Sequence, residues 1–173
     1  DVPSDYEFYD EIEDLAAKEI VGGFGTTGLF KPEEKLTRAQ AAKMIAKAAD
    51  IKVSKGFKTS FTDVDEDVDM YEHIWALEEL EIVKGWGTTN EFRPDEDIER
   101  GHVAKMVAKA FGLAEGSLDV EFEDLPKDEE VADAIMVLAT NDIVKGYGAS
   151  GEFRPEEPVL RGQFAKMVSR AMN

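Results

Sequence analysis

The stretch that decides the fold is Ile82-Val83-Lys84-Gly85-Trp86-Gly87, because the chain contains it three times. It occurs upstream as Ile20-Val21-Gly22-Gly23-Phe24-Gly25 and downstream as Ile143-Val144-Lys145-Gly146-Tyr147-Gly148, at spacings of 62 and 61 residues. The same spacing relates Phe30-Lys31-Pro32 to Phe92-Arg93-Pro94 and Phe153-Arg154-Pro155, and Arg38 to Arg100 and Arg161. Self-similarity at a fixed period indicates a repeat architecture. We predict three repeats, spanning residues 1–51, 61–113 and 122–173.

Each repeat is predicted to form a helix, a glycine loop and a second helix. Apolar residues recur at helical spacing in the first helix, as in Phe8, Ile12, Leu15 and Ala16, and Asp5, Asp67 and Asp128 stand just before these helices as candidate N-caps. The second helices carry clearer apolar stripes: Ala41, Met44, Ile45, Ala48; Val103, Met106, Val107, Ala110; Phe164, Met167, Val168, Ala171. These stripes are predicted to be core.

The repeats are predicted to share one core. A single unit of about 55 residues buries little apolar surface, whereas three units can pool their stripes. A linear stack needs polar end caps, which the sequence lacks. The prediction is therefore an all-α fold with the three second helices around a pseudo-threefold axis.

Composition excludes several classes of function. The 173 residues include 20 basic and 38 acidic side chains, a net charge of −18, which disfavours nucleic acid as a partner. No apolar run approaches the length of a membrane span, and the absence of cysteine excludes disulfides and thiolate chemistry. The acidity itself indicates either a solvated surface tolerant of salt or alkali, or a role in cation binding.

The glycine loop has two interpretations. Its Gly-aromatic-Gly pattern uses Phe24, Trp86 and Tyr147 in turn, and such variation is unusual in a tightly packed core. The ring is expected either to stack on a sugar face or to pin the loop to its own repeat. The flanking glycines, Gly23, Gly25, Gly85, Gly87, Gly146 and Gly148, allow positive φ or close approach of a ligand to the backbone.

An arginine stands where helix stability does not favour it. Thr37 and Gln40 form a capping box, which places Arg38 at the first position of the second helix, against the helix dipole. Arg100 and Arg161 occupy the equivalent position in the second and third repeats. One explanation is an anionic ligand held by the guanidinium and the helix N-terminus. The other is an internal salt bridge, to one of Asp1, Asp63, Asp124, Glu34, Glu96 and Glu157.

Together these motifs resemble the S-layer homology family. Asp1-Val2-Pro3-Ser4-Asp5, Ile-Val-x-Gly-aromatic-Gly, Phe-(Lys/Arg)-Pro and Leu36-Thr37-Arg38-Ala39-Gln40 carry the resemblance over essentially the whole chain. It implies a helical pseudo-trimer with three lobes and grooves between repeats. It also implies an extracellular location in the wall or S-layer of a Gram-positive-type cell. There the module would anchor the remainder of a surface protein, as cargo, to secondary cell-wall polysaccharide, commonly one ending in pyruvylated N-acetylmannosamine.

The resemblance also assigns site residues. Arg38, Arg100 and Arg161 would meet the ketal carboxylate, and the glycine loops with Asp63 and Asp124 would complete the grooves; Asp1 is a weaker candidate because it stands at the start of the chain.

The sequence departs from the family's motifs at three positions. Gln40, His102 and Gln163 replace a glutamate; Glu99 and Leu160 replace the threonine that survives as Thr37; Glu7, Asp69 and Glu130 replace a tryptophan. Glu99 stands next to Arg100 and is expected to neutralise it. The groove around Arg38 is therefore expected to be the strongest.

Other functions are less well supported. Neither histidine, His73 nor His102, recurs in all three repeats, and no catalytic signature is present, so an enzyme is not expected. The segment Asp63–Asp69 begins like a calcium loop but has Val68 and Ile74 where an EF-hand needs glycine and glutamate. Weak calcium sites stay open, although no cofactor is expected. The alternative function is an acidic protein-docking module or a calcium-dependent assembly module of a surface layer.

Overall fold

The part of the chain that the structure describes folds into six helices with long connecting loops. The computed structural model describes residues 1–54, 56, 58–68, 70–148 and 151–173. The helices are α1 (Tyr9–Ala17), α2 (Arg38–Ala48), α3 (Tyr71–Glu79), α4 (Arg100–Ala110), α5 (Glu129–Thr140) and α6 (Arg161–Ala171). Strand pairing among the described residues is limited to isolated bridges. The predicted all-α, helix-loop-helix organisation is confirmed.

Helix packing links each repeat to its neighbour. The first helix of a repeat packs on the second helix of the preceding repeat: α3 on α2, and α5 on α4. Helix α1 of repeat 1 packs on α6 of repeat 3. The repeats therefore close on one another, with α4 also contacting both α2 and α6.

Backbone hydrogen bonds close the same ring just before the second helices. The Leu36 N–H donates to the Val159 carbonyl at 3.2 Å, and the Ile98 N–H donates to the Leu36 carbonyl at 2.9 Å. The Val159 N–H then donates to the Ile98 carbonyl at 2.9 Å. A linear stack cannot make this cycle. The symmetry of the whole unit stays a prediction.

The stripes of the second helices form the core. Met44, Ile45 and Val107 are buried, and Phe164 is 1% exposed. The first helices contribute Ile12, Leu15 and their counterparts. Ala16, which the sequence places on the same stripe, is exposed. None of the helices formed by the described residues has the length and apolar character that crossing a bilayer requires.

Helix capping was predicted correctly for α2 and α5 and wrongly for α1 and α3. Thr37 and Gln40 form the expected reciprocal capping box, and the Asp128 carboxylate accepts from the Val131 N–H at 3.3 Å. The helices α1 and α3 begin later, after Phe8 and Met70, and have no side-chain cap. Turns closed by the Tyr9 N–H to Tyr6 carbonyl bond and by the Tyr71 N–H to Val68 carbonyl bond separate Asp5 and Asp67 from these helices.

Candidate ligand-binding grooves

Three grooves lie at the junctions between repeats, and we number them by the repeat that supplies the glycine loop. Groove 1 has a volume of about 460 Å³, groove 2 about 500 Å³ and groove 3 about 320 Å³. Groove 1 is lined by residues that include Arg161, 22–25, Gln40, Lys43, Lys47 and Met70. Groove 2 is lined by residues that include Arg38, 82–87, His102, Lys105, Asp128 and Glu130. Groove 3 is lined by residues that include Arg100, 143–148, Gln163, Lys166 and Glu7. Every groove takes residues from all three repeats.

Each groove contains the arginine of the preceding repeat. Arg38 lies at the start of α2 in repeat 1, yet its Nε donates to the Phe92 carbonyl of repeat 2 at 2.7 Å. Arg100 makes the same bond to Phe153 at 3.1 Å, and Arg161 to Phe30 at 2.8 Å. Arg161 also donates from Nη2 to the Gly22 carbonyl at 3.0 Å. The arginines therefore hold the junctions together as well as lining the grooves.

The three guanidiniums are buried, and the described residues give them no direct ion pair. Arg38, Arg100 and Arg161 are only 6%, 5% and 5% exposed. Among the described residues, no carboxylate oxygen lies within 4.0 Å of any of them, so the structure does not supply the internal salt bridge that the sequence left open. Burial lowers the pKa of each guanidinium, and carboxylates beyond that distance, among them Glu96, Glu157 and Glu34, oppose the shift; arginine remains protonated. A buried guanidinium without a direct ion pair favours binding of an external anion.

The aromatic ring of each glycine loop is engaged by two cations. Trp86 has the Arg38 Cζ at 5.2 Å from its ring centroid and the Arg93 Cζ at 5.1 Å. Tyr147 and Phe24 have equivalent pairs, formed by Arg100 with Arg154 and by Arg161 with Lys31. These half-buried rings pin the loop to the junction, which favours the pinning interpretation. Stacking on a sugar stays a prediction.

Both glycines of the pattern are required by the backbone. A Cβ on Gly23 would lie 2.3 Å from the carbonyl carbon of Gly28, and one on Gly85 would lie 2.4 Å from the Thr89 oxygen. The second glycine has positive φ, 48° at Gly25 and 55° at Gly87. The loop shape therefore needs glycine independently of any ligand.

The aspartates that begin the repeats bind the loop backbone. Both oxygens of Asp63 accept hydrogen bonds, from the N–H groups of Phe92 and Arg93 at 2.7 Å each. Asp124 does the same with Phe153 and Arg154, and Asp1 with Phe30 and Lys31. Arg93 has a left-handed φ of 61°. These aspartates fix the loop; the expected contact with ligand stays a prediction.

The three residues at the Gln40 position differ in environment. The Gln40 and Gln163 side-chain oxygens accept from the backbone N–H three residues earlier, and Gln163 Nε2 also donates to the Tyr147 hydroxyl at 3.3 Å. His102 lies against Trp86, with ring centroids 5.2 Å apart. Burial, and then the nearby Arg38, lower the pKa of His102 to about 4, so it is neutral at pH 7.

Two sequence interpretations need revision because the arginine reaches across the junction. Thr37 and Gln40 belong to the same repeat as Arg38, but Gln40 lines groove 1 and Arg38 lines groove 2. Glu99 acts on Arg38 rather than on its sequence neighbour Arg100. Burial, and then Glu156, raise the pKa of Glu99, and Arg38 opposes them. Adjacency in sequence does not reveal contacts across a junction.

Each groove also contains a lysine that the sequence did not single out as a site residue. Lys43, Lys105 and Lys166 occupy equivalent positions in α2, α4 and α6, and each lines a groove. Lys105 pairs with Glu130 and Lys166 with Glu7. Recurrence of the lysine at the repeat spacing was the available signal. Asp69, at the same position as Glu7 and Glu130, lies outside the described residues.

The grooves are cationic on an acidic protein. Among the described residues they are lined by nine lysines and arginines, Arg38, Lys43, Lys47, Lys84, Arg100, Lys105, Lys145, Arg161 and Lys166, and by four carboxylates, Glu7, Glu19, Asp128 and Glu130. The whole chain, by contrast, has 20 basic and 38 acidic residues. In the part of the chain that the structure describes, no group of three or more histidines and carboxylates is arranged to hold a metal ion.

The family model of the S-layer homology domain matches the chain at residues 1–42, 60–104 and 121–165. The chain belongs to the S-layer homology family. It is 29% identical to the S-layer protein Sap of Bacillus anthracis over 176 residues, covering 98% of this chain and 20% of that protein. It is 30% identical to an S-layer protein of Bacillus thuringiensis subsp. finitimus, covering 98% of this chain and 21% of the relative.

This S-layer homology chain matches only part of each relative. An uncharacterised cell wall amidase of Bacillus anthracis is 31% identical over 148 residues, which cover 83% of this chain and 27% of the amidase. The same unit therefore occurs in S-layer proteins and in a protein named as an enzyme. The family and these relatives indicate a cell-wall or surface-layer location.

Proposed function

We propose that the chain anchors a surface protein non-covalently to the cell wall by binding acidic secondary cell-wall polysaccharide in the three grooves. The observation that carries this proposal is the buried guanidinium of Arg38, Arg100 and Arg161, to which no carboxylate among the described residues forms a direct salt bridge. Each stands at a helix N-terminus whose first two backbone N–H groups already donate to carbonyls of a neighbouring repeat, so the guanidinium itself is the donor that we expect an anion to meet. A carboxylate matches the planar donor geometry of arginine.

The groove charges support an acidic ligand over a neutral one. Cations outnumber carboxylates among the described lining residues, although the protein as a whole is strongly acidic. A pyruvyl ketal on a terminal N-acetylmannosamine is a carboxylate on a sugar, and it is the ligand that we propose. The relatives named as S-layer proteins and as a cell wall amidase support cargo of either kind.

Three grooves favour a polymer over a single small ligand. If one polysaccharide layer presents many acidic ends, engagement of several grooves raises the overall affinity by roughly 10² to 10⁴ over one groove. Each groove then needs only weak affinity. Anchoring becomes stable without a covalent bond.

Sedimentation with purified Gram-positive sacculi tests this function. The chain should sediment with native sacculi and stay in solution after acid extraction of the secondary polymer. The triple variant R38Q/R100Q/R161Q should stay in solution with both. Its control, K31Q/R93Q/R154Q, removes three half-buried cations that contact the same rings, and should still sediment.

Three results would contradict the proposal. Binding that persists after extraction would indicate peptidoglycan as the ligand. Retention by a folded R38Q/R100Q/R161Q variant would exclude the arginines. Equal loss in both triple variants, or binding that disappears at moderate salt, would indicate diffuse charge attraction or protein docking.

A further inference from the structure

Glu130 places a carboxylate inside groove 2, among the lysines of another repeat. It stands in the first turn of α5 in repeat 3. Its Oε1 lies 3.1 Å from Lys84 Nζ, and its Oε2 lies 2.5 Å from Lys105 Nζ and 3.7 Å from Lys109 Nζ. One carboxylate thus forms ion pairs with three cations of repeat 2: Lys84 of the glycine loop, and Lys105 and Lys109 of α4.

This carboxylate is ionised whenever the wall is near neutral pH. The hydrogen bonds from Lys105 and Lys84 hold the pKa of Glu130 at about 2. Its side chain is 48% exposed, so solvent and ligands reach it. Exposed ion pairs are weakly held, and an incoming acidic group can therefore compete for the same lysines.

We propose that Glu130 is a specificity-determining residue of groove 2, where its carboxylate competes with an acidic sugar for Lys84 and Lys105, the two of its lysine partners that line this groove. This inference rests on the proposed function, because it concerns which ligands the same groove accepts. Groove 2 then binds an acidic sugar through Arg38 alone. Removal of the Glu130 charge makes these two lysines available as a second anion subsite.

Groove 3 contains a weaker version of the same arrangement. Glu7 lies 3.5 Å from Lys166 Nζ, contacts that lysine alone among the described ion pairs, and has a side chain that is 73% exposed. Competition by Glu7 should therefore be smaller. The grooves are graded by internal carboxylates although the repeat motifs that build them are the same.

The experiment measures binding at groove 2 directly. The chain has two tryptophans, and Trp86 lines groove 2, so its indole N–H resonance reports on this groove; the variant W75F assigns it. The probes are short fragments of wall polysaccharide with one acidic sugar, and the same fragments with the carboxyl reduced. Fragments that fill one groove remove the effect of avidity.

E130Q should bind the acidic fragment about fivefold more tightly at low salt, as expected for an exposed ion pair, and the reduced fragment unchanged. E129Q is the matched control, since Glu129 is the neighbouring exposed residue on α5 and does not line the groove. E7Q should give a smaller gain in groove 3. The double variant E130Q/K105Q should lose most of the gain of E130Q.

Several outcomes would overturn the inference. An E130Q affinity equal to or weaker than that of the original chain would leave Glu130 as a structural ion pair. An equal gain in E129Q, or for the reduced fragment, would indicate a change in overall charge. If E130Q is unstable, E7Q still decides, read from the backbone amide resonances of Gly146 and Gly148 in groove 3. Absence of acidic-fragment binding to the original chain at all three grooves would instead refute the proposed function.

Discussion

Grooves 1 and 2 share one frame and differ in the chemistry of their walls. In both, a buried arginine from the preceding repeat donates to a phenylalanine carbonyl, and a glycine loop carries an aromatic ring beside the guanidinium. Groove 1 adds a glutamine and Lys43, for which the described residues provide no carboxylate partner. Groove 2 adds a neutral histidine and the lysine-bound Glu130. The recurring residues build the groove, and we expect the variable ones to set what it binds.

The largest expected effect comes from Asp63, whose carboxylate binds the backbone that follows the glycine loop of repeat 2. D63A removes two charge-assisted hydrogen bonds to backbone N–H groups and should lower the free energy of unfolding by about 3 kcal/mol. Urea denaturation measures it. The control D65A changes an exposed aspartate of the same segment and should leave the free energy of unfolding nearly unchanged. Similar losses in the two variants would show that the Asp63 hydrogen bonds contribute nothing specific.

The arginines of the two grooves should differ in their effect on stability. Arg161 donates to two carbonyls and Arg38 to one. Replacement by methionine should therefore destabilise the protein more at Arg161, by an additional loss of about 1.5 to 3 kcal/mol for the extra charged hydrogen bond. Denaturant midpoints of R161M and R38M give the comparison. A larger loss for R38M would contradict the geometry.

His102 should make groove 2 sensitive to acid. Its pKa is about 4 in the folded protein, below its usual value of 6.5, so the unfolded chain binds the proton more readily. Stability should therefore fall as the pH decreases from 6.5 to 4. H102Q, the residue of the other two repeats, should remove about 1 to 2 kcal/mol of that loss, less than the full pKa shift because the side chain is partly exposed.

Denaturation of H102Q and the original chain at pH 7, 5.5 and 4 measures this effect. Glu130 should add a separate loss at lower pH, because its pKa of about 2 is below its usual 4.5 and its contribution disappears between these values. Parallel stability profiles for H102Q and the original chain would contradict the account of His102.

The smallest expected effect comes from the Trp86 ring in the glycine loop of repeat 2. W86F gives this loop a phenylalanine, as in the glycine loop of repeat 1, and weakens the contacts with Arg38 and Arg93. It should lower the free energy of unfolding by about 0.5 to 1 kcal/mol. Thermal denaturation measures it, and W75F provides the control for loss of a tryptophan outside groove 2. A loss above that of D63A would mean that the ring, not the aspartate, holds the loop.

The sequence predicts the helices of this protein well because their signals are local and repeated. The apolar stripe around Met44 and Ile45 and the capping box of Thr37 depend on residues within three or four positions of one another. The caps at Asp5 and Asp67 were predicted wrongly, because a turn inserted between cap and helix leaves no sign in the spacing.

The sequence did not predict in the same way which residues line the same groove. Arg38 was identified as a site residue, but its partners Phe92, Trp86 and Glu130 lie in the second and third repeats. Only the cyclic packing of α1 on α6 and of each first helix on the preceding repeat brings them together. One sequence without its fold gives no basis for pairing residues across a junction.

The central claim is that the buried arginines bind the acidic group of the wall polysaccharide. The most direct measurement follows the Nε–H resonances of Arg38, Arg100 and Arg161 during titration with a pyruvylated fragment and with the same fragment after removal of its pyruvyl group. We expect the pyruvylated fragment to shift these resonances, and the other fragment to leave them unchanged. Tight binding of the pyruvylated fragment with all three resonances unmoved would contradict the account.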